Sequence, residues 1–421
     1  MRGPAVPPII IAAGGTGGHF FPAEALATEL AARGRRIALM TDARSGVLRS
    51  DVFASRETFV LRGAGIAGRG LIRAATATLA LTAGTLQAAT ILARLRPPVL
   101  VAFGGYPSVA PVLGARLLHH RPRIILHEQN AVLGRANRFL ARHESLLALS
   151  FAETARAPSS VATQCVGNPV RPSIAALATI PYTPPDLSVM AGLDPAIYAR
   201  TPERPAPPNG PIHLAVIGGS LGARIFSEVV PSAITALPES LRARLHLTQQ
   251  CRTEDLARVR QTYAAAGITA DLSPFFPDIA DRLAAAHLVI ARAGASTVAE
   301  LAVVARPSIL VPLPGAIDDH QTANARALAA VGAAHMIPQP EFTAAALTAL
   351  LTDLLSNPAQ LAAASLAARG IARPDAAARL ADLVEALMPT SDASPPPLAG
   401  EGWGEGSNPK AADAIPQEVR P

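Results

Sequence analysis

Two side chains in the first third of the chain could carry out proton transfer. His19 follows the glycine-rich segment GGTGG at 14–18, and an imidazole is well matched to proton transfer near neutral pH. Glu128, in the segment HEQN, is a second candidate base, and orienting His127 or Asn130 is its alternative role. The sequence leaves open which of the two accepts a proton.

Two glycine-rich segments, 14–18 and 218–222, each lie between an apolar run and a helical stretch. Backbone N–H groups in such loops can approach a phosphate at the positive end of a helix. A tight turn without a ligand explains one such loop but explains two poorly. Neither loop matches the dinucleotide pattern G-x-G-x-x-G, and no Walker lysine follows either. Asp42, after the second strand, keeps a dehydrogenase open as an alternative.

Glu300 is the acid predicted to bind a ligand in the second half. It lies one helical turn after AGAST at 293–297, and a carboxylate can accept two hydrogens from a ribose diol. A solvated surface charge is its alternative role. Arg171 and Arg292 are candidates to neutralise phosphate. The segment DDHQTANA at 318–325 places side-chain amides where they could contact sugar hydroxyls.

The sequence favours stabilisation of a diphosphate without a metal ion. It contains no D-x-D motif, and none of its His and Cys residues have metal-ligand spacing. Backbone amides and arginines are therefore predicted to offset the charge of a leaving group. No metal and no cofactor are predicted.

Short apolar runs alternate with helical stretches along most of the chain, which predicts an α/β fold with parallel sheets. The first strand is predicted at Ile9–Ala13. Pro22 is expected in the first turn of the following helix, which Gly34 should end. The pattern restarts at 213–224, so two doubly wound Rossmann-like domains are predicted.

The predicted domains are 1–172 and 211–388. The range 173–210 is rich in proline and is predicted to be a connector or insertion, and 389–421 is predicted to be a disordered tail. With 421 residues, half of them hydrophobic, the chain is long enough for two ordinary cores.

The charge balance is mildly basic, with a net charge of +6 and no clustered basic stripe. It suits an anionic small molecule or membrane surface and argues against a nucleic-acid partner. Cys165 and Cys251 have no redox spacing, and no signal peptide is evident, so a reduced cytoplasmic protein is expected.

The uncharged segment 74–93 is about long enough to cross a bilayer, but it is mostly Ala and Thr. A buried core helix and a helix that touches a membrane surface through leucines and flanking arginines are the two main interpretations. The flanking arginines are Arg62, Arg69, Arg73, Arg94 and Arg96. A true membrane span is the least favoured interpretation.

Seven motifs occur in the order seen in the MurG family of bacterial peptidoglycan synthesis. They are GGTGGHFFPAEALA, GGYPSVAP, HEQNAVLGRANR, GNPVR, IGGSLGAR, RAGASTVAEL and DDHQTANA. The chain resembles these N-acetylglucosaminyltransferases over about residues 8–385. The resemblance implies a GT-B fold, in which two Rossmann-like domains face each other across a cleft.

The resemblance also implies the substrate contacts. The donor, UDP-GlcNAc, would contact Thr16, Gly17, Gly18, Asn130, Arg171, Ser220, Phe276, Ala295, Ser296, Thr297, Val298, Ala299, Glu300, His320 and Gln321. The lipid diphosphate of the acceptor would contact Gly14, Gly15, Gly104, Gly105 and Tyr106. The segment 248–251 stands where the family often has a His-Gln pair, so one nucleotide-side contact is expected to differ.

The implied reaction is attack by the C4 hydroxyl of an undecaprenyl-diphosphate-linked muramoyl-pentapeptide on C1 of GlcNAc, with inversion and release of UDP. His19 is the favoured base and Glu128 the second candidate. The protein would act at the cytoplasmic face of the inner membrane, against its anionic surface. An NAD-dependent oxidoreductase and a non-catalytic sugar-nucleotide or lipid binder are the alternatives.

Overall fold

Two parallel sheets, one in each half of the chain, form the framework of the molecule. The computed structural model describes residues 6–14, 17–42, 50–62, 71–141, 145–185, 210–219 and 222–389, with the backbone alone at 71–75. The first sheet has the strand order β3-β2-β1-β4-β5-β6-β7. Its strands are β1 (Ile9–Ala12), β2 (Ile37–Asp42), β3 (Thr58–Leu61), β4 (Val99–Ala102), β5 (Arg123–Glu128), β6 (Ser145–Leu149) and β7 (Thr163–Cys165).

The second sheet has the order β10-β9-β8-β11-β12-β13, and its pairings are also parallel. Its strands are β8 (Ile212–Ile217), β9 (Leu245–Gln250), β10 (Ala270–Ser273), β11 (Leu288–Ala291), β12 (Ser308–Leu310) and β13 (Ala334–Met336). In both sheets the strand order reverses beside the first strand, which is the topology of a Rossmann-like domain. The predicted α/β class with two such domains is confirmed.

The helices cover both faces of each sheet, so the central strands are buried on both sides. They are α1 (Gly17–Ala32), α2 (Asp51–Ala54), α3 (Leu71–Leu95), α4 (Val109–Arg116), α5 (Arg135–Leu140), α6 (Pro172–Ala175), α7 (Arg224–Thr235), α8 (Glu239–Arg242), α9 (Leu256–Ala265), α10 (Ile279–Ala285), α11 (Ala295–Val303), α12 (His320–Ala330), α13 (Ala344–Leu355), α14 (Pro358–Ile371) and α15 (Ala376–Ala386). In β1, Ile9 and Ile11 pack into one core cluster and Ile10 into another, as strand alternation requires.

The first helix begins earlier than Pro22 predicts. It starts at Gly17, so Pro22 lies inside the helix and not in its first turn. Proline has no N–H to donate to the carbonyl four residues earlier, which here belongs to Gly18. The early start places Gly17, Gly18 and His19 in the first helical turn.

The last helix returns to the first sheet. Leu380, Ala381 and Val384 of α15 belong to the same core cluster as β1 and α1. Arg33, after α1, lies 2.6 Å from Asp382 and 2.9 Å from Glu385. The range 211–388 predicted for the second domain therefore ends in a helix that packs on the first. The domain boundaries otherwise stay predictions.

The predicted connector is partly described. Residues 172–175 form α6, a short 3-10 helix follows at Ala176–Thr179, and the buried Tyr182 donates to the carbonyl of His287. Most of the predicted insertion and of the predicted tail, residues 186–209 and 390–421, lies outside the described residues.

Helix α3 is a surface helix with one packed face. Within the described helices, Thr76–Leu95 is the stretch long and apolar enough to cross a bilayer, and 28% of it is buried. Ala77, Ala88 and Leu92 are buried, whereas Leu79 and Leu86 are 69% and 57% exposed. The interpretation as a fully buried core helix is therefore wrong.

Candidate active site

The candidate site is built on the carboxyl ends of the parallel strands, where loops from neighbouring strands converge. In the first domain, β1 leads to α1 and His19, β4 leads to Gly104 and Gly105, and β5 leads to the HEQN segment. Gly104 and Gly105 have φ values of 76° and 66°, a left-handed conformation that favours glycine. A Cβ on Gly105 would lie 3.3 Å from Nε2 of His19, so this turn lies directly against the imidazole.

Gln129 fixes the tautomer of His19. The Gln129 Nε2 atom lies 3.0 Å from the carbonyl oxygen of Phe103 and 3.2 Å from that of His127, and carbonyls only accept. The Gln129 Oε1 atom therefore faces Nδ1 of His19, at 3.0 Å. Because that oxygen also only accepts, Nδ1 donates, and neutral His19 carries its lone pair on Nε2.

His127 continues the same chain of hydrogen bonds into the core. Its Nε2 donates to the carbonyl of Gly167 at 3.0 Å, and its Nδ1 accepts from Gln129. The side chain is fully buried, and this burial lowers the pKa of His127 to about 4, against the opposing effect of the Gly167 bond. His127 thus stays neutral and holds Gln129 in place.

Glu128 is held by four hydrogen-bond donors. One oxygen accepts from the backbone N–H and the side-chain amide of Asn130, each at 3.0 Å. The other accepts from the N–H of Gly134 and the amide of Asn137, each at 2.9 Å. Buried to 2% exposure, this carboxylate holds the loop after β5. The geometry favours the positioning role considered for Glu128 over the role of a base.

Arg171 and Glu300 form a bidentate ion pair. The guanidinium donates to both carboxylate oxygens at 2.9 Å, and it also lies 5.4 Å from the ring centroid of Phe21 in α1. Burial raises the pKa of Glu300, and the charge and hydrogen bonds of Arg171 oppose that rise. The acid predicted to bind ribose and the arginine predicted to approach the diphosphate are therefore adjacent.

The second glycine loop is held by Gln250 at the end of β9. Its amide oxygen accepts from the N–H of Gly218, and its amide nitrogen donates to the carbonyls of Gly219 and Pro274. This is the segment where a departure from the family pattern was expected. Phe276, two residues after Pro274, is buried with Arg282 4.1 Å from its ring centroid.

Three of the predicted site residues, Gly15, Thr16 and Ser220, lie outside the described residues. Gly14 ends the described part of the first loop, and Tyr106 begins a short 3-10 helix after Gly105.

The prediction that Arg292 neutralises a phosphate is wrong. It is buried and donates to the carbonyls of Val311 and Pro312 and to the side chain of Gln339. These bonds occupy its guanidinium with the protein itself. Arg292 therefore stabilises the end of β12 and does not face the candidate site as a free cation.

The first turn of α11 follows β11 and offers its N-terminal backbone to the cleft. Gly294 precedes the helix, and Ser296, Thr297 and Ala299 are half-buried. Ala295 and Val298 are buried. Because the side chain of Val298 belongs to the core, only backbone atoms at that position are available to a nucleotide.

Helix α12 joins the two domains at its first turns. Asn324 is fully buried; its Oδ1 accepts from the N–H of Ala131, and its Nδ2 donates to Asn130 Oδ1 and to the carbonyl of Ala293. Nearby, His320 donates from Nδ1 to Ile317, and Gln321 accepts from the N–H of Leu313. Asn130 thus reaches the second domain through Asn324.

Similarity to known proteins agrees with this architecture. The model of the glycosyltransferase family 28 N-terminal domain matches residues 9–145, and that of the family's C-terminal domain matches residues 213–380. The chain belongs to glycosyltransferase family 28.

Individual members of family 28 are similar over nearly the whole chain. A Granulibacter bethesdensis protein is 56% identical, over 94% of this chain and 97% of its own length. A Gluconobacter oxydans protein is 51% identical, over 90% of this chain and 99% of its own length. Both are named UDP-N-acetylglucosamine--N-acetylmuramyl-(pentapeptide) pyrophosphoryl-undecaprenol N-acetylglucosamine transferase.

Solved structures of family 28 and of other glycosyltransferases share the fold. The crystal structure of Acinetobacter baumannii MurG matches with a TM-score of 0.70 at 28% identity, covering 90% of this chain and all of that one. The glycosyltransferase of kitacinnamycin matches with a TM-score of 0.62 at 17% identity, covering 92% of this chain and 100% of that one, a likeness in fold alone. The predicted GT-B fold and MurG-type resemblance are confirmed.

Several residues that shape the site were not predicted as site residues. Gln129, Gln250 and Asp318 each make hydrogen bonds that fix a loop or join the domains. Asn324, whose amide was expected near the sugar hydroxyls, instead bonds the first domain. Gln129 and Asp318 lie inside the quoted motifs HEQN and DDHQTANA, so those motifs pointed to two of the three residues. Among the described residues, no group of three His, Cys, Asp or Glu side chains could hold a metal ion.

Proposed function

We propose that this protein is an inverting glycosyltransferase that moves GlcNAc from UDP-GlcNAc to the C4 hydroxyl of undecaprenyl-diphospho-MurNAc-pentapeptide. The relatives' names and the family membership support this assignment. The observation that carries it is that both domains supply groups suited to the reaction. The base nitrogen of His19 lies beside the Gly104–Gly105 turn of the first domain, and Arg171, which also contacts Phe21 of α1, pairs with Glu300 of the second domain.

The chemistry follows from this arrangement. Nε2 of His19 accepts the proton of the C4 hydroxyl while the hydroxyl oxygen bonds to C1 of GlcNAc. The bond from C1 to the diphosphate oxygen breaks, and UDP leaves with the electron pair. Because attack and departure are on opposite faces of C1, the anomeric configuration inverts.

The growing charge on UDP needs stabilising groups in the second domain. Backbone N–H groups in the first turn of α11 would face an anion bound at that helix start. Ribose hydroxyls that bind Glu300 would displace part of its ion pair with Arg171. The guanidinium would then be available to the departing diphosphate.

A transfer assay tests this proposal directly. The protein is incubated with radiolabelled UDP-GlcNAc and a lipid-diphosphate muramoyl-pentapeptide acceptor, and labelled lipid and released UDP are quantified. Equal amounts of labelled lipid and UDP are expected. Donor binding without transfer would instead identify a sugar-nucleotide binder, and thermal stabilisation by NAD but not by UDP-GlcNAc would favour an oxidoreductase.

The proposal extends to the place where the reaction occurs, the cytoplasmic face of the inner membrane. Leu79 and Leu86, one heptad apart, lie on the same exposed face of α3, and Val60 of β3 is also exposed. Gln87 ties α3 to β3, since it bonds the carbonyl of Val60 and the N–H of Arg62. Exposed leucines flanked by Arg62 and Arg94 suit the surface of an anionic bilayer. Transfer there would supply the lipid-linked precursor that wall growth needs, and through wall growth it would contribute to cell shape and division.

Vesicle sedimentation tests the membrane surface. We expect the wild-type protein to sediment with vesicles containing anionic phospholipid, and Leu79→Glu with Leu86→Glu to weaken binding at least tenfold. Leu366→Glu is the matched control, because Leu366 is 55% exposed but lies on α14 of the second domain. Equal sedimentation of all three proteins would exclude this face of α3 as the contact.

A further inference from the structure

Asp318, just before α12, contacts three arginines of the first domain. Arg156 lies 2.8 Å from one of its oxygens, and Arg135 and Arg138 lie 3.2 and 3.4 Å from the other. We call these four residues the Asp318 cluster. Arg135 and Arg138 belong to α5, and Arg156 to the segment after β6, so the cluster joins two domains that are distant in sequence.

The charges of the Asp318 cluster suit a contact that can form and separate. The Asp318 carboxylate is only 13% exposed, whereas the arginine side chains are 37% to 70% exposed. Three guanidiniums repel one another unless an anion lies between them, and the arginines hold the pKa of Asp318 below its usual range. Exposed cations lose little hydration when they pair, so each such bond is weak and salt-sensitive.

The backbone at this point is bent in a way that side chains rarely adopt. Asp318 and Asp319 have φ values of 55° and 54°, both left-handed and neither a glycine. Such conformations persist where surrounding contacts hold them. Here Asp318 is held by the first domain, and Asp319 accepts from Thr322 at 2.6 Å within its own helix. The bend therefore depends partly on a contact with the other domain.

A second interdomain contact lies one and a half turns further along α12. Asn324 bonds Asn130 and the N–H of Ala131 in the first domain. His320 and Gln321, the residues expected to contact the transferred sugar, lie between Asp318 and Asn324. Both ends of the sugar-contacting segment are therefore tied to the opposite domain.

We propose that Asp318 is a positioning residue, whose pairing with Arg135, Arg138 and Arg156 couples closure of the cleft to the placement of His320 and Gln321 on the donor sugar. The part of the inference that concerns the donor sugar rests on the proposed function. The part that concerns closure of the cleft rests on the interdomain contacts alone. The nucleotide contacts expected on the second domain, at Phe276, Glu300 and the first turn of α11, lie outside the cluster, so binding of UDP should not need it. Sugar recognition and transfer should need it.

The test compares Asp318→Asn with Asp319→Asn, a neighbouring carboxylate that accepts from Thr322 of the following helix. We expect Asp318→Asn to lower kcat/KM for UDP-GlcNAc at least tenfold, to reduce the preference over UDP-glucose, and to leave the affinity for UDP within twofold. Raising the salt from 0.05 to 0.5 M should lower kcat/KM of the wild type and of Asp319→Asn but hardly affect Asp318→Asn.

Small-angle scattering without substrate gives an independent readout. We expect a larger radius of gyration for Asp318→Asn than for the wild type or Asp319→Asn. If Asp318→Asn fails to fold, the double variant Arg135→Ala with Arg156→Ala, at exposed side chains, should give the same two effects. Equal kinetics and scattering for all variants would overturn the inference and leave the proposed function intact. Absence of transfer by the wild type would count against the proposed function. The scattering comparison would still show whether Asp318 holds the two domains together.

Discussion

At the scale of the residue, the contacts around His19 fix which nitrogen of this proposed base carries the lone pair. Oε1 of Gln129 accepts from Nδ1 of His19, because the Gln129 amide nitrogen faces three acceptors: the carbonyls of Phe103 and His127 and the Nδ1 of His127. The lone pair is thereby assigned to Nε2, next to the Gly105 turn. The lone pair is therefore placed through the side chain of Gln129, which the carbonyls of Phe103 and His127 orient.

Substitution of His19 should separate catalysis from donor binding. His19→Ala removes the proposed base, so kcat should fall by about 10²–10⁴. The affinity for UDP-GlcNAc should change by less than threefold, since His19 is not among the residues expected to contact the donor. Turnover and calorimetric donor binding are the measurements, and near-normal turnover would show that His19 is not the base.

Substitution of Gln129 should move the pH–rate profile. In Gln129→Glu a carboxylate faces Nδ1 of His19 and favours the protonated imidazolium, which cannot accept a proton. The acidic limb of kcat/KM against pH should therefore shift to higher pH. Gln129→Ala should lower kcat without that shift, because it frees the tautomer but adds no charge. A profile that does not move in Gln129→Glu would contradict the role assigned to Gln129.

At the scale of the element, close backbone approach decides how α3 lies against the first domain. A Cβ on Gly114 of α4 would lie 2.8 Å from the N–H nitrogen of Ala89 and from the carbonyl oxygen of Thr85, both in α3. A Cβ on Gly84 of α3 would lie 2.1 Å from the carbonyl oxygen of Arg62. These two glycines allow α3 to press one face on the domain and to present the other to solvent.

Gly114→Ala should therefore destabilise the protein although alanine favours helices. Overpacking against backbone atoms costs about 1–3 kcal/mol in the free energy of unfolding. Gly370→Ala in α14 is the matched control, since nothing lies within 4 Å of its Cβ position. There the free energy of unfolding should be unchanged or higher by up to about 1 kcal/mol. Urea unfolding of both variants checks the sign, and equal stability would contradict the close packing of α3 and α4.

At the scale of the whole molecule, contacts distant in sequence hold the two domains. Helix α15 follows the second sheet in the chain but packs on the first, where Asp382 and Glu385 bind Arg33. Asn324 and the Asp318 cluster join the domains across the cleft. The candidate site therefore depends on the relation between the domains as well as on each loop.

Buried neutral histidines should make stability depend on pH. Burial lowers the pKa of His127 to about 4 and that of His287 to about 4, so both are neutral in the folded protein at pH 5. Unfolded histidines take up protons near pH 6.5, so the unfolded state binds more protons between pH 4 and 6.5. The free energy of unfolding should therefore fall as the pH falls through that range, by about 3 kcal/mol for fully buried His127.

Urea unfolding at several pH values between 4.5 and 7 measures this slope. His287→Asn should reduce it, because one of the neutral histidines is removed while an amide oxygen can still accept from the N–H of His213. The wild type should reach its full stability above about pH 6.5. A stability that is flat from pH 4.5 to 7 would show that these histidines are not neutral in the folded state.

The sequence by itself determined the fold class, the family and the position of most loops of the site. Strand–loop–helix patterns are local, and in parallel sheets the carboxyl ends of strands meet at one edge, so the convergence of His19, Gly105 and Glu128 could be predicted. The start of α1 was not predicted, because a proline inside a helix is tolerated only where the local packing allows it.

Tertiary structure alone decided the partners of the charged groups and the return of the last helix. The pairing of Glu300 with Arg171, the internal bonds of Arg292, the interdomain bonds of Asp318 and the packing of α15 join residues far apart in the chain. Sequence spacing carries no information on such pairs, because hydrogen bonds and charge contacts act over a few ångströms in space. Only the folded arrangement brings those atoms within that distance.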